Sequence, residues 1–306
     1  MKEESENLIN RINQLKKEKN AVILAHYYAP SEVQALADYV GDSFYLAKVA
    51  KQTTANIIVF CGVKFMGESA KLLNPSKKVL MPDISADCPM AHMVADGKIA
   101  AMREKYDDLA VVCYINSTAE LKCQSDVCVT SSNAVKIVET LPNKNIFFIP
   151  DKNLGRFVAE QVPSKNIILN DGCCPIHAAI SENELIKLKE DHPQAPVLSH
   201  PECEENILKH SDYVGSTADI IKFAANSDAS EFIICTEYGV EFKLSSDGPE
   251  KKFYFPKTKP CCRDMKLITL QKIAYVLETE ENEIEPSQKI REKALLPLDR
   301  MLELAK

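Results

Sequence analysis

Three cysteines recur at near-constant spacing in this 306-residue chain: Cys88, Cys174 and Cys262, separated by 86 and 88 positions. Each follows a strand-like run. Lys78-Val79-Leu80-Met81-Pro82-Asp83 leads to Asp87-Cys88-Pro89, Asn166-Ile167-Ile168-Leu169 leads to Asp171-Gly172-Cys173-Cys174-Pro175, and Lys252-Phe253-Tyr254-Phe255-Pro256 leads to Pro260-Cys261-Cys262. A thiol in a tight loop at the carboxyl end of a strand lies where α/β sheets bind ligands. A structural zinc site takes four protein ligands, often in Cys-x-x-Cys pairs. No such pair occurs among the eleven cysteines. Three thiols from three segments point instead to an iron–sulfur cluster with one iron that no protein ligand holds, since four-iron clusters usually take four cysteines. Such an iron is an open Lewis acid, like a catalytic zinc. Cys173 and Cys261 neighbour these positions, and spacing alone does not exclude them. Cys61, Cys113, Cys203 and Cys235 end strands or sit beside them and read as small buried hydrophobes. Cys123 and Cys128 have no assignment.

Other polar groups recur with the same period. His26-Tyr27-Tyr28, Tyr114-Ile115-Asn116 and His200-Pro201-Glu202 end three equivalent strands, with gaps of 88 and 86 between their first residues. They supply donors, acceptors and acid–base candidates: His26, Tyr28, Tyr114, Asn116, His200 and Glu202. Gly41-Asp42-Ser43, Thr130-Ser131-Ser132 and Gly215-Ser216-Thr217 each precede an apolar helix. Ser and Thr there cap free backbone N–H groups, and a helix N-terminus also holds anions. Three such ends around one cavity imply ligands with several carboxylate or phosphate groups. His177, three residues after Cys174, either bonds near the cysteine or simply packs.

These residues need a scaffold that brings distant segments together. The pattern is one β-α-β-α-β unit written three times, each preceded by a helix and each ending in a cysteine. Glycines at 67, 155 and 239 keep the period. Strands alternating with helices imply parallel sheets, and right-handed crossovers put the strand-end motifs of a unit on one side. The period is too long for a solenoid. The expected architecture is α/β: three similar α/β/α domains around a pseudo-threefold axis, with a central active site. The boundaries are 1–88, 89–174 and 175–262, with closing helices in 263–306. No apolar run approaches the roughly 18 residues of a membrane span, and the charged start, Met1 to Glu6, is no signal peptide. A cytoplasmic protein is expected, in which eleven cysteines mean metal or redox chemistry rather than disulfides. A net charge of −7 offers no basic face for nucleic acid.

The motifs together resemble those of the quinolinate synthase family. Ala25-His26-Tyr27-Tyr28, Glu32-Val33-Gln34, Ala37-Asp38 and Gly41-Asp42-Ser43 are similar to its opening signature. Phe65-Met66-Gly67-Glu68, Tyr114-Ile115-Asn116, Thr130-Ser131-Ser132-Asn133-Ala134, His200-Pro201-Glu202-Cys203 and Thr236-Glu237-Tyr238-Gly239 are similar to later ones, as are Gly172-x-Cys174-x-x-His177 and Cys262-x-x-Met265-Lys266. The resemblance covers roughly residues 20 to 280. It implies a condensation of iminoaspartate with dihydroxyacetone phosphate to quinolinate, with loss of phosphate and water, in de novo NAD biosynthesis. It implies a [4Fe-4S] cluster on Cys88, Cys174 and Cys262, chosen over Cys173 and Cys261 by the Cys-x-x-His and Cys-x-x-Met frames. The substrate-binding positions it implies are His26, Ser43, Tyr114, Asn116, Ser131, His200, Glu202 and Thr217, with Tyr28, Tyr114 and Glu202 as catalytic groups. An L-aspartate oxidase or dehydrogenase that makes iminoaspartate is the partner such a reaction implies. Asn170 stands where the family usually has Trp, and the chain has no Trp. Two alternatives remain on the residues alone: another [4Fe-4S] hydro-lyase acting on a small hydroxy acid, and a non-catalytic metal- or anion-binding protein.

Overall fold

A computed structural model describes residues 2–306, with side chains described from Glu6 onward. The chain forms three four-stranded, all-parallel sheets. The first holds β1 (Ala21–His26), β2 (Tyr39–Gly41), β3 (Ile57–Cys61) and β4 (Lys78–Leu80), in the order β2-β1-β3-β4. The second holds β5 (Leu109–Tyr114), β6 (Val127–Val129), β7 (Asn145–Ile149) and β8 (Asn166–Leu169), ordered β6-β5-β7-β8. The third holds β9 (Val197–Ser199), β10 (Tyr213–Val214), β11 (Glu231–Cys235) and β12 (Lys252–Tyr254), ordered β10-β9-β11-β12. The same order three times is the threefold repeat that the cysteine spacing predicts.

β1, β3, β5 and β7 are runs of Val, Ile, Leu and Phe buried almost throughout, as strands covered on both faces must be. Each sheet also has a short edge strand, β2, β6 or β10, that the sequence reading does not count. These are two or three residues long, too short to show a period, and only pairing with the neighbouring strand defines them.

Three helix bounds matter for the site. A helix starts at Lys64, so the motif Phe65-Met66-Gly67-Glu68 is helical. Pro175–Ala178 and Glu182–Asp191 are separate helices because Ser181 caps the second through the N–H of Glu184. Met265–Leu267 is a 3-10 turn, and the closing helix Leu270–Thr279 starts only at its own cap, Thr269. Two glycines are required by close approach. A Cβ at Gly172 would lie 2.7 Å from the Pro150 carbonyl oxygen, and one at Gly239 would lie 2.8 Å from the Tyr28 Cα. Both sit beside loops that carry site residues. No helix among the described residues is long and apolar enough to cross a membrane.

Candidate active site

One cavity receives side chains from all three units. The first contributes His26, Tyr28, Ser43 and Cys88, the second Tyr114, Asn116, Ser131 and Cys174, and the third His200, Glu202, Thr217 and Cys262. Every site residue expected from the sequence lines it. Val63, Phe65, Met66, Met90, Ile176 and Met265 give it an apolar wall. Cys173 and Cys261 are not among its lining residues, and Cys261 is exposed. Cys61, Cys113, Cys128, Cys203 and Cys235 are buried. Cys123 is partly buried, with its thiol against the Ile290 carbonyl.

The residues arrive at the cavity by a rule. β1 ends in His26 and β9 is followed directly by His200, and both histidines turn back on their own chain. His26 Nδ1 accepts the N–H of Tyr28 at 3.1 Å, and His200 Nδ1 accepts the N–H of Glu202 at 3.3 Å. An Nδ1 that accepts leaves Nε2 as the protonated nitrogen of a neutral ring. Burial pushes both imidazoles down to about 3, so they are neutral donors, not cations. At the helix starts, the capping residue and the cavity-lining residue are neighbours rather than one residue. Asp42 caps Ser43–Gln52 through the N–H of Tyr45, and Ser216 caps Thr217–Asn226 through the N–H of Asp219. Ser43 and Thr217 are therefore first helical residues with hydroxyls not spent on capping. In the second unit Asn133 holds the Thr130-Ser131-Ser132 turn by accepting the Thr130 N–H at 2.7 Å.

A hydrogen-bonded chain crosses the cavity and links the three units. The Tyr28 hydroxyl bonds Thr217 Oγ1 at 2.7 Å and Thr236 Oγ1 at 2.9 Å. Thr236 Oγ1 lies 2.9 Å from His177 Nε2. His177 Nδ1 lies 2.7 Å from Glu202 Oε2 and 3.2 Å from Cys174 Sγ, so its single N–H is shared between carboxylate and sulfur. Tyr114 donates its hydroxyl proton to Glu202 Oε1 at 2.6 Å. The carboxylate only accepts, so His177 Nδ1 donates to it. The contacts run without a gap from Tyr28 through Thr236 and His177 to Glu202. Burial works against the Glu202 charge, but the bonds donated by His177 and Tyr114 favour it, and this carboxyl lies below its ordinary range. Burial and that same charge push the hydroxyls of Tyr28 and Tyr114 well above 10, so both stay protonated.

Two further features point to ligands. The buried Oδ1 of Asn116 has no partner among the described residues, and an orphan acceptor in a cavity wall is costly until a ligand supplies a donor. The ligand atoms of Cys174, His177 and Glu202 lie within 4.8 Å of one another, a donor set able to hold a metal. Sequence reasoning missed Thr236, Asp151 and Glu237. Their signal was a polar residue at a fixed offset after a central strand: Asp151 two residues after β7, Thr236 and Glu237 one and two after β11. Asn170, in place of an indole, donates its amide to the carbonyls of Met93 and Pro150, both at 2.8 Å, and so ties the cysteine loop from inside.

The family model for the quinolinate synthetase A protein matches residues 10–303. The chain belongs to this family. It is 56% identical to the quinolinate synthase of Fusobacterium nucleatum over 97% of its own length and 99% of the relative's. It is 51% identical to that of Clostridioides difficile, over 97% and 98%. It is 48% identical to that of Aquifex aeolicus, over 99% and 96%. Members matched over such a span are enzymes of NAD biosynthesis, and the chain is accordingly an enzyme.

Proposed function

We propose that the enzyme condenses iminoaspartate with dihydroxyacetone phosphate, releasing quinolinate, phosphate and two waters, with a [4Fe-4S] cluster on Cys88, Cys174 and Cys262. The supporting observation is that each of the three repeats, 1–88, 89–174 and 175–262, sends one thiol and one polar strand end to the same cavity. The donor set suits a cluster. Three unpaired thiols border the cavity, and no fourth cysteine does. Burial raises all three, Cys88 to about 12, Cys262 to about 11 and Cys174 well above its usual value. Such thiols give up their protons only to a metal that replaces them. Cys88 and Cys174 each stand at the start of a helical turn opened by a proline, which fixes the direction of the side chain. When bound, the cluster supplies a Lewis-acid iron that polarises a substrate oxygen.

The chain's own residues supply binding and proton movement. The hydroxyls of Ser43 and Ser131, and that of Thr217 beside the Tyr28 hydroxyl, stand near helix starts and suit the carboxylates and the phosphate of the two substrates. The Nε2–H groups of His26 and His200 donate without adding charge. Asn116 contributes the acceptor that has no protein partner. Glu202 is the charged base, placed to take a proton during enolisation, and Tyr114 is the donor beside it. Tyr28, at the far end of the hydrogen-bonded chain, returns protons toward Glu202 through Thr236 and His177. An enzyme that forms iminoaspartate, an L-aspartate oxidase or dehydrogenase, is the upstream partner, and the cytoplasm is the compartment. The test is anaerobic purification, quantification of iron and acid-labile sulfide, and assay with both substrates. The expected outcome is about four irons per chain, as is usual for clusters of this type, and release of a pyridine dicarboxylate. Zinc without sulfide, or turnover with no quinolinate, overturns the reading.

A further inference from the structure

The loops that carry two of the three cavity cysteines are held by buried carboxylates that the reaction does not use. Asp151 follows β7 by two residues and Glu237 follows β11 by two. Both are almost fully buried, with 0% and 1% exposure. Each divides its two oxygens in the same way. Asp151 Oδ1 accepts the N–H of Leu154 at 2.7 Å, capping the helix Lys152–Gln161, while Oδ2 accepts the N–H of Cys174 at 3.0 Å. Glu237 Oε2 accepts the N–H of Gly239 at 2.6 Å, capping the turn Tyr238–Val240, while Oε1 accepts the N–H of Cys262 at 2.9 Å. The first unit departs from this pattern. The residue two after β3 is Val63, which caps its helix with no side chain, and the N–H of Cys88 goes to the adjacent Asp87 at 2.8 Å.

A helix cap needs one acceptor, and Ser, Thr and Asn serve as well as Asp. A buried carboxylate is a costly choice for capping alone. What a carboxylate adds is a second acceptor with no donor of its own. We infer that Asp151 and Glu237 are positioning residues for the metal centre, each locking one cysteine arm to the first helical turn beyond the central strand of its unit. The lock fixes where the Cys174 and Cys262 sulfurs stand before any metal arrives. It also takes up the N–H that would otherwise be free to turn toward sulfur.

The inference rests on the cluster reading above, and one set of measurements separates the two. Holoenzyme is prepared anaerobically as wild type, Asp151→Asn and Glu237→Gln. An amide keeps one acceptor but sets an NH2 group against the second N–H, so either the cap or the cysteine arm is released. Iron release to a chelator under argon should be about 10–100-fold faster in each variant, the usual cost of losing a group that orients a metal ligand. The reduction potential should move upward, because an N–H freed to bond sulfur favours the reduced cluster. A residue that only caps a helix would lower the melting temperature of the metal-free chain and leave the potential unchanged. If Asp151→Asn does not accumulate as folded protein, Glu237→Gln carries the test, since Lys266 at 3.0 Å remains beside the amide. A wild type without iron and sulfide overturns the cluster reading. A fully loaded wild type whose variants match it in release rate and potential overturns the lock alone.

Discussion

Buried side chains of the first and second units run together with those of the C-terminal helices in one apolar cluster, from Ile12 and Leu24 through Val112 and Phe147 to Leu298. The third unit forms two clusters of its own, one with Val197, Ile233 and Cys235, the other with Leu198, Phe232 and Ile234. Neighbours in sequence fall into different clusters because successive residues of β9 and β11 point to opposite faces of the sheet. What ties this unit to the others is largely polar. Tyr28 bonds Thr217 and Thr236, Tyr114 bonds Glu202, Asn153 donates to the Glu202 carbonyl at 3.0 Å, and Gln34 donates to the Gly239 carbonyl at 3.0 Å. Lys266 donates to the Tyr28 carbonyl at 2.6 Å. An apolar seam supplies stability without direction. A polar seam needs defined geometry. The bonds that dock the third unit are in large part those that build the cavity, so docking and preorganisation of the site are one event.

Substitutions on either seam should separate the two roles. The largest expected effect is at a cavity thiol. Cys174→Ala should abolish cluster assembly, while Cys173→Ala, one residue away and outside the cavity wall, should leave it largely intact, as read by iron and sulfide content. The reverse result would move the ligand by one position. Next is Glu202→Gln, which keeps size and one of the two acceptor oxygens, so it can accept from Tyr114 or from His177 but not from both, and it cannot take a proton. We expect the cluster and substrate binding to persist and turnover to fall at least about a hundredfold, the low end for a lost acid–base group. Near-normal turnover with an intact cluster would make Glu202 a docking residue only and leave Tyr114 as the proton carrier.

The apolar seam should behave differently. Leu298, in the closing helix Gln288–Leu304, is fully buried in the shared cluster. Leu298→Ala should cost about 2–5 kcal/mol of stability, the range for a large-to-small change in a core. It should leave kcat per folded, cluster-loaded chain unchanged. A drop in kcat with little loss of stability would mean that the closing helices set the cavity's geometry after all.

Much of the site, though not this contrast, was legible in the sequence, and the missing parts share a cause. Strand ends, helix starts and the cysteine repeat are local patterns, and all of them converge on the cavity. The edge strands β2, β6 and β10 exist only through pairing. Gly67 keeps the period of the repeat, yet it sits inside a helix, where a Cβ would lie 2.4 Å from Met81 Sδ. Thr236 gains its role only where the third unit meets the first, through Tyr28, and His177 only where Cys174, Glu202 and Thr236 come together from distant segments. Local sequence does not encode a bond that joins residues from separate units.

The smallest expected effect falls on the polar seam itself, at Gln34. Its side chain is buried, and Nε2 donates to the carbonyls of Tyr27 and Ala29 at 2.8 Å as well as to Gly239 in the third unit. Tyr28 lies between the first two of these, so one amide fixes both the loop that carries a site hydroxyl and its contact across the seam. Gln34 contributes as a donor, not as bulk, and that distinction can be tested. Gln34→Met keeps the length and loses the donor, leaving carbonyls unsatisfied at a cost of about 1–3 kcal/mol. Gln34→Glu keeps the shape but sets a carboxylate against three carbonyl oxygens, so it should be the more damaging of the two despite being the closer isostere. Both should lower kcat/KM together with the melting temperature, because Tyr28 loses its fixed position when the seam loosens. Equal melting temperatures for the two variants would mean that Gln34 merely fills space, and the seam would then owe its geometry to Tyr28, Tyr114, Asn153 and Lys266.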